Sequence, residues 1–331
     1  MIKRISDLKK ILIIRLSSMG DVLLTTPLIR SIKKQNPEIE IDFVVKSEFF
    51  DVIKYNPHLK NIYKYSKQSS EKQELINSLK ANRYEIVIDL QNNLRSREII
   101  RHLDCKIQRF KKNSINKFLL VHFKINKLKD AHQIPVRYAE TAGVELDTEG
   151  LDFFTSNEPD SKLKTNDKFI GLCPGAKHFT KRWPKEYFIE LGKNLESAGF
   201  KVALFGGQDE TEVTNDITNH LSSALNFCNE NILQTAANMK MCRAIYTNDS
   251  GAMHLASAIK VPVIAFFGST VREFGFYPYK AKSIELENKN LSCRPCTHIG
   301  RKSCPKIHFK CMNEIKPELA FNSLSNLQIS L

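Results

Sequence analysis

Short apolar runs recur along the chain, each followed by a polar turn and then a longer stretch whose apolar residues return every three or four positions. In the first half the runs are ILIIRL (11–16), IEIDFVV (39–45), IYKY (62–65), YEIVIDL (84–90) and CKIQRF (105–110), with amphipathic segments such as DVLLTTPLIRSIKKQ and QELINSLKAN between them. Runs of four to seven residues that are apolar almost throughout predict strands buried on both faces, and the helical spacing between them predicts crossovers, so the pattern reads as a parallel sheet covered by helices.

After a polar stretch near TSNEPDSKLKTND (155–167) the same rhythm begins again. FIGLCPG (169–175), KVALFGG (201–207), ALNFC (224–228), CRAIYTND (242–249) and VPVIAFFG (261–268) read as strands of a second sheet. The expectation is an α/β chain of two doubly wound, Rossmann-like domains, 1–155 and 165–331, with the last helix free to pack back on the first domain. Such sheets bind ligands beyond the carboxyl ends of their strands, and two of them in tandem leave a cleft, so the chemistry belongs in the turns that follow the strands.

Composition narrows this picture. The chain has 331 residues, more than one core usually organises, and 42% are hydrophobic. No apolar run approaches the ~20 residues of a spanning helix. The start, MIKRISDLKKILIIRLSSMG, imitates a secretory leader, but Arg15 interrupts its apolar core after a few residues. It therefore reads as the first strand of a cytoplasmic protein. Eight cysteines in a chain of this length do not make a disulfide scaffold.

The net charge of +14 is uneven, about +10 in residues 1–150 and +4 in the remainder. Within the basic half, Arg101–Asp130 carries nine basic residues and two acidic ones, interleaved with Phe and Leu. Two readings stand: a solvated Lys-rich surface, or a surface for an anionic partner, either nucleic acid or an acidic membrane face.

Three turns of the second half share one chemistry. TNDSGAMH ends a strand at Asn248-Asp249 and opens a helix through Ser250, Gly251, Ala252 and Met253, with His254 in its first turn. Small residues there let backbone N–H groups approach an anion, while the plainer reading makes Asp249 or Ser250 an ordinary N-cap. CPGAKHFTKRWP places Thr180, Lys181 and Arg182 just before a helix start, where cations are unfavourable unless an anion lies between them and the helix. FGGQDETE offers Gly206 and Gly207 followed by Gln208, Asp209 and Glu210, whose side chains suit ribose hydroxyls. Together they describe a nucleotide-diphosphate site. No G-x-G-x-x-G, no Walker sequence and no Asp-x-Asp triplet occurs, which disfavours nicotinamide cofactors, P-loop hydrolysis and a carboxylate-held metal on the diphosphate. In the first half, RLSSMGD puts Asp21 at a strand-to-helix turn beside Ser17, Ser18 and Gly20. A carboxylate there accepts a proton from an attacking hydroxyl, or simply stabilises its own helix dipole.

From RLSSMGDVLLTTPLIRSIK through CPGAKHFTKRWP, LFGGQDE and TNDSGAMHLASAIKVPVIAFFGST to the Cys-rich tail, the chain resembles the glycosyltransferase family 9 heptosyltransferases of lipopolysaccharide core synthesis. The resemblance implies a GT-B fold and metal-independent, inverting transfer of heptose from ADP-heptose. It implies Asp21 as general base; Thr180, Lys181, Gly207, Asp249, Ser250, Gly251, Ala252 and His254 at the donor; and Ser18, Gly20, Arg95 and Arg97 at the acceptor. The acceptor would be an anionic Kdo-lipid A type glycolipid at the inner face of the cytoplasmic membrane, which gives the basic first half a peripheral docking role and no nucleic-acid partner. The rival of another class, a nucleic-acid or membrane-binding module, leaves the three nucleotide-like turns unexplained. Within the enzyme class, the rival is a family 9 transferase using another nucleotide sugar.

LSCRPCTHIGRKSCPKIHFKCM spaces Cys293, Cys296, Cys304 and Cys311 with His298 and His308 nearby. Zinc, an iron–sulfur cluster, free thiols or an adventitious disulfide all fit that spacing. By resemblance the tail leans toward the transferase of the second heptose, and no catalysis is placed on it.

Overall fold

In the computed structural model, residues 5–155, 161–163 and 167–329 are described. The expected linker falls partly outside them. The chain divides into two compact units, Met1–Asn113 with His132–Ser156, and Ser114–Ala131 with Asn157–Leu331.

The first unit holds β1 (Lys10–Ile14), β2 (Glu40–Lys46), β3 (Asn61–Tyr65), β4 (Ile86–Asp89) and β5 (Lys106–Arg109), in the order β3-β2-β1-β4-β5, all parallel. Ile11 to Ile14 of the central strand are fully buried on both faces, as an all-parallel sheet requires. At ~1.5–3 kcal/mol for each buried aliphatic side chain, this strand anchors the unit. After β1 the chain enters a short helix, Met19–Leu23, and then a second, Thr26–Gln35, with Pro27 in its first turn, where proline is accepted.

The second unit holds β6 (Phe169–Cys173), β7 (Lys201–Leu204), β8 (Leu225–Asn226), β9 (Cys242–Asn248), β10 (Val263–Phe267) and β11 (Ser283–Glu287). Their order is β11-β10-β9-β6-β7-β8, again parallel. The sequence pattern foresees ten of the eleven strands. It misses β11, whose SIELE alternates charge on a half-exposed sheet edge. The last helix, Pro317–Asn326, packs within the second unit: Ala320 and Leu324 join its core, and the Tyr246 hydroxyl donates to the Ala320 carbonyl at 2.8 Å.

Ser114–Ala131, expected in the first domain, belongs to the second unit. Leu120, Val121 and Leu128 bury themselves against Phe274, and that apolar contact outweighs nearness in sequence. The fold class is as expected, two parallel-sheet α/β units of the GT-B glycosyltransferase kind.

Candidate functional site

The first-unit site grows out of β1. Beyond Ile14 the chain turns through Arg15 and Leu16 into SSMGD, and the Gln91 side chain holds this turn by accepting from the amides of Leu16 and Ser17 at 2.9 and 3.2 Å. Asp21 then sits in the first helical turn, where its Oδ2 accepts from the Ser18 amide and hydroxyl, both at 3.0 Å. Its Oδ1 pairs with the Arg15 guanidinium at 2.5 Å. Arg15 is itself fixed, donating to the Leu90 carbonyl at 2.6 Å and lying over the Tyr138 ring.

Burial alone would raise the Asp21 carboxyl. The charge of Arg15 and the bonds from Ser18 and Arg15 outweigh it and hold the group below the usual carboxylate range. Asp21 thus braces its own helix start, and its surroundings favour the carboxylate form. Around it lie Asp89, which accepts from the Gln91 and Asn92 amides and the Ser96 hydroxyl, and Lys112. Burial and then the neighbouring Arg15 lower the Lys112 ammonium, while Asp89 and Asp21 oppose them. Arg95 and Arg97 open the helix Leu94–Ile100, capped by Asn93; both are exposed, and Arg97 donates to the Asn92 side chain at 3.2 Å.

In the second unit one buried side chain ties two of the nucleotide-like turns together. Asn248, at the end of β9, accepts from the Trp183 amide at 2.9 Å and donates to the carbonyls of Pro174 and Gly175 at 2.7 and 3.3 Å. Next to it Asp249 pairs with Lys181 at 2.7 Å and accepts from the Thr270 hydroxyl at 2.7 Å. The sequence assigned the conflict between these cations and the helix start to an absent anion. The structure resolves part of it internally, through Asp249 for Lys181 and through the Ala176 carbonyl, 2.6 Å away, for Arg182. The turn stays strongly cationic: burial and then the charges of Lys181, Lys177 and Arg182 hold the His178 imidazole below its ordinary value.

Ser250 occupies the N-cap position of the helix Gly251–Ala258 but makes no side-chain cap bond among the described residues; its hydroxyl lies 3.5 Å from that of Thr247. Ser250 is thus the N-cap by position with its hydroxyl outside the cap, and Asp249 is occupied by Lys181 and Thr270. Gly251 and Ala252 are half-exposed, and His254 is buried in the same first turn. In the third turn the Gly207 amide donates to Glu210 at 2.5 Å, and Glu210 also fills the space over Gly175, where a Cβ would come within 2.3 Å of it. Beside these turns a cavity of about 940 Å³ takes in Pro174, Gly175, Arg182, Trp183, Asp209 and Glu210, but neither Lys181 nor Asp249.

Thr180, assigned to the donor by resemblance, is buried and bonded to the backbone around it. Its amide donates to the Arg301 carbonyl at 3.2 Å, its hydroxyl accepts from the Arg301 amide at 2.9 Å, and its carbonyl accepts from the Ser269 amide at 3.3 Å. The Cys-rich tail therefore braces the Thr180–Arg182 turn. Arg294, between two of the cysteines, donates to the Gly268 carbonyl at 2.6 Å and the Thr270 carbonyl at 2.8 Å, and pairs with Glu287 at 2.9 Å. It thus pins the loop whose Thr270 holds Asp249. Sequence reasoning attended to the cysteines and passed over this arginine.

The described residues give no support to the metal that the cysteine spacing left open. Among the described residues no three His, Cys, Asp or Glu side chains converge as ligands. All eight cysteines are free, and Cys311 is buried, its thiol pushed up to about 12 by burial.

With this geometry in hand, the model of "Glycosyltransferase family 9 (heptosyltransferase)" matches residues 73–307, more than two thirds of the chain. The chain belongs to glycosyltransferase family 9. Among curated relatives of this family 9 chain is lipooligosaccharide heptosyltransferase 2 of Campylobacter jejuni, 28% identical over 324 residues that cover 93% of this chain and 95% of the relative. A glycosyltransferase family 9 structure from Veillonella parvula superposes with a TM-score of 0.80 at 23% identity, over 99% of this chain and 98% of its own. The Escherichia coli ADP-heptose lipopolysaccharide heptosyltransferase II structure gives 0.75 at 22% identity, over 96% and 98%. At those identities the structures establish the fold of the family 9 chain. Its glycosyltransferase activity follows from the family.

Proposed function

We propose that this family 9 transferase moves heptose from ADP-heptose to an anionic, Kdo-bearing inner-core glycolipid. The observation that carries the donor half is the cationic turn Lys177–Arg182 set against an N-terminal helix turn whose N-cap side chain caps no amide. Fixed N–H groups and an ammonium held in place suit a diphosphate leaving group. The heptosyltransferases this chain resembles, one of them named for ADP-heptose, supply the sugar and nucleotide.

Asp21 takes the proton of the acceptor hydroxyl as its oxygen bonds to the anomeric carbon. The bond from that carbon to the diphosphate oxygen breaks, and ADP carries away the electron pair and charge. Displacement in one step inverts the anomeric centre. Lys181 and the amides of Gly251, Ala252 and their neighbours meet the charge on ADP without a metal, with Asp249 holding the Lys181 ammonium in position. Glu210 and Asp209 suit the ribose hydroxyls, and His254 supports the turn from behind. Ser18 and Gly20 leave room for the acceptor sugar. Arg95, Arg97 and Lys112 suit its carboxylate and phosphate groups. The anionic acceptor places the enzyme at the inner membrane surface.

The test is incubation with ADP-heptose, UDP- and GDP-sugars and a Kdo-lipid acceptor, with and without a chelator, followed by mass analysis of the product. Addition of one heptose residue from ADP-heptose alone, unchanged by the chelator, is expected. Transfer from another nucleotide sugar, or loss with the chelator, overturns the assignment.

A further inference from the structure

The helix Ser114–Phe123 and the segment after it present an apolar surface that the reaction at Asp21 and Lys181 does not use. One side of this helix is buried, with Leu120, Val121 and then Leu128 against Phe274. The other side is uncovered. Ile115, Phe118, Phe123 and Ile125 are 76%, 53%, 62% and 48% exposed, four large apolar side chains within eleven residues. They form one feature: Phe118 packs on the His122 ring at a centroid distance of 4.4 Å and edge-on to Phe123 at 6.0 Å, with Ile115 one turn before. Exposed apolar residues scattered singly need no explanation, but a cluster of aromatic and branched residues on one helix does.

Charge says what covers it. From Lys106 to Lys129 there is no Asp or Glu, and within Ser114–Lys129 stand Lys117, Lys124, Lys127 and Lys129. Lys124 has a structural duty, donating to the carbonyls of Val121, Cys293 and Pro295, which locks the helix end to the tail. Lys127 and Lys129 are exposed and Lys117 lies over the Phe276 ring. The tail adds one more exposed apolar side chain, Ile299, 54% exposed. One carboxylate reaches the element from outside, Glu273, which accepts from the Asn126 side chain at 2.8 Å, and Asp130 closes it; between them, aromatic and branched side chains bordered by lysines match the headgroup boundary of an anionic bilayer, where apolar burial and counter-charge act together.

We infer that Ser114–Lys129 is a membrane-docking element, which inserts Ile115, Phe118, Phe123 and Ile125 into the headgroup region of an anionic lipid surface. The proposal deepens the reading of a lipid-anchored acceptor but is tested without any acceptor. The broad basic stretch of the sequence resolves into this one element. Arg101–Asn113 is in the other unit and carries no such apolar cluster.

The experiment is co-sedimentation of the full chain with vesicles of phosphatidylcholine containing phosphatidylglycerol, and with phosphatidylcholine alone, at low and physiological salt. Wild type is expected to bind the anionic vesicles and to release as salt rises. Phe118→Ser with Phe123→Ser, and separately Lys127→Glu with Lys129→Glu, are each expected to weaken that binding at least tenfold while melting temperature and ADP affinity stay at wild-type values. Absence of wild-type binding to anionic vesicles, or binding that both variants retain, overturns the proposal. So does a wild-type dimer that the Phe variant converts to monomer, since a second copy would then be the occupant. Failure of heptosyl transfer with vesicle binding intact counts against the assigned reaction and leaves the docking surface standing.

Discussion

Asn248→Ala is the substitution that most directly tests how the donor turns are built. Asn248 is fully buried, and its amide serves the Trp183 N–H and the Pro174 carbonyl at ordinary hydrogen-bond lengths, with the Gly175 carbonyl further off. Alanine leaves the first two without partners, each at a cost of about 1–3 kcal/mol, so about 4 kcal/mol is expected together. For a unit of this size each kcal/mol lowers the melting temperature by roughly 2–4 °C, hence a fall of roughly 8–16 °C. Because the same amide holds the chain just after Lys181 against the start of the Asp249 turn, ADP affinity falls too. Thermal unfolding followed by circular dichroism gives the first quantity and titration calorimetry the second. A melting temperature within about 2 °C of wild type together with unchanged ADP binding would refute the reasoning.

Lys181→Met removes the ammonium while keeping most of the side-chain volume; ADP affinity, measured by calorimetry, should fall roughly ten- to a hundredfold, the worth of one charge-assisted hydrogen bond, and unchanged affinity would remove Lys181 from the donor site. Arg15→Met removes the charge that holds the Asp21 carboxyl low and leaves burial to raise it. Wild-type kcat/KM should therefore stay flat down to below the usual carboxylate range, and in the variant the acid limb should move to higher pH; coincident profiles would contradict the pairing. Gly268→Ala would bring a Cβ within 2.8 Å of the Thr180 carbonyl oxygen, a backbone atom, and should cost ~1–3 kcal/mol seen in the melting curve. Gly207→Ala meets only the end of the Glu210 side chain and should melt close to wild type.

The strands were legible because buried parallel strands are apolar on both faces, a pattern few other elements share. β11 escaped because an edge strand keeps its charges, as Glu285 and Glu287 show. Ser114–Ala131 was misplaced because its helical pattern tells which face is buried and not what buries it; Phe274, far along the chain, decides that. That Asp21, Lys181 and the Asp249 turn follow strands was visible in the sequence. Their partners were not, since the contacts of Arg15 with Asp21, of Asn248 with Trp183 and of Arg294 with Gly268 depend on how loops cross. The cysteine spacing left a metal, free thiols and a disulfide all open because spacing says nothing of burial; the eight cysteines are free, and Cys311 went into the core.

The central claim is that Asp21 takes the acceptor's proton. Single-turnover transfer by Asp21→Asn, which keeps the size and a hydrogen-bond acceptor but cannot take a proton at neutral pH, tests it most directly, with ADP affinity measured on the same preparation. The account predicts a rate lowered roughly 10²–10⁴-fold with ADP affinity unchanged. A rate within a factor of about ten of wild type, less than general-base catalysis ordinarily contributes, would contradict it.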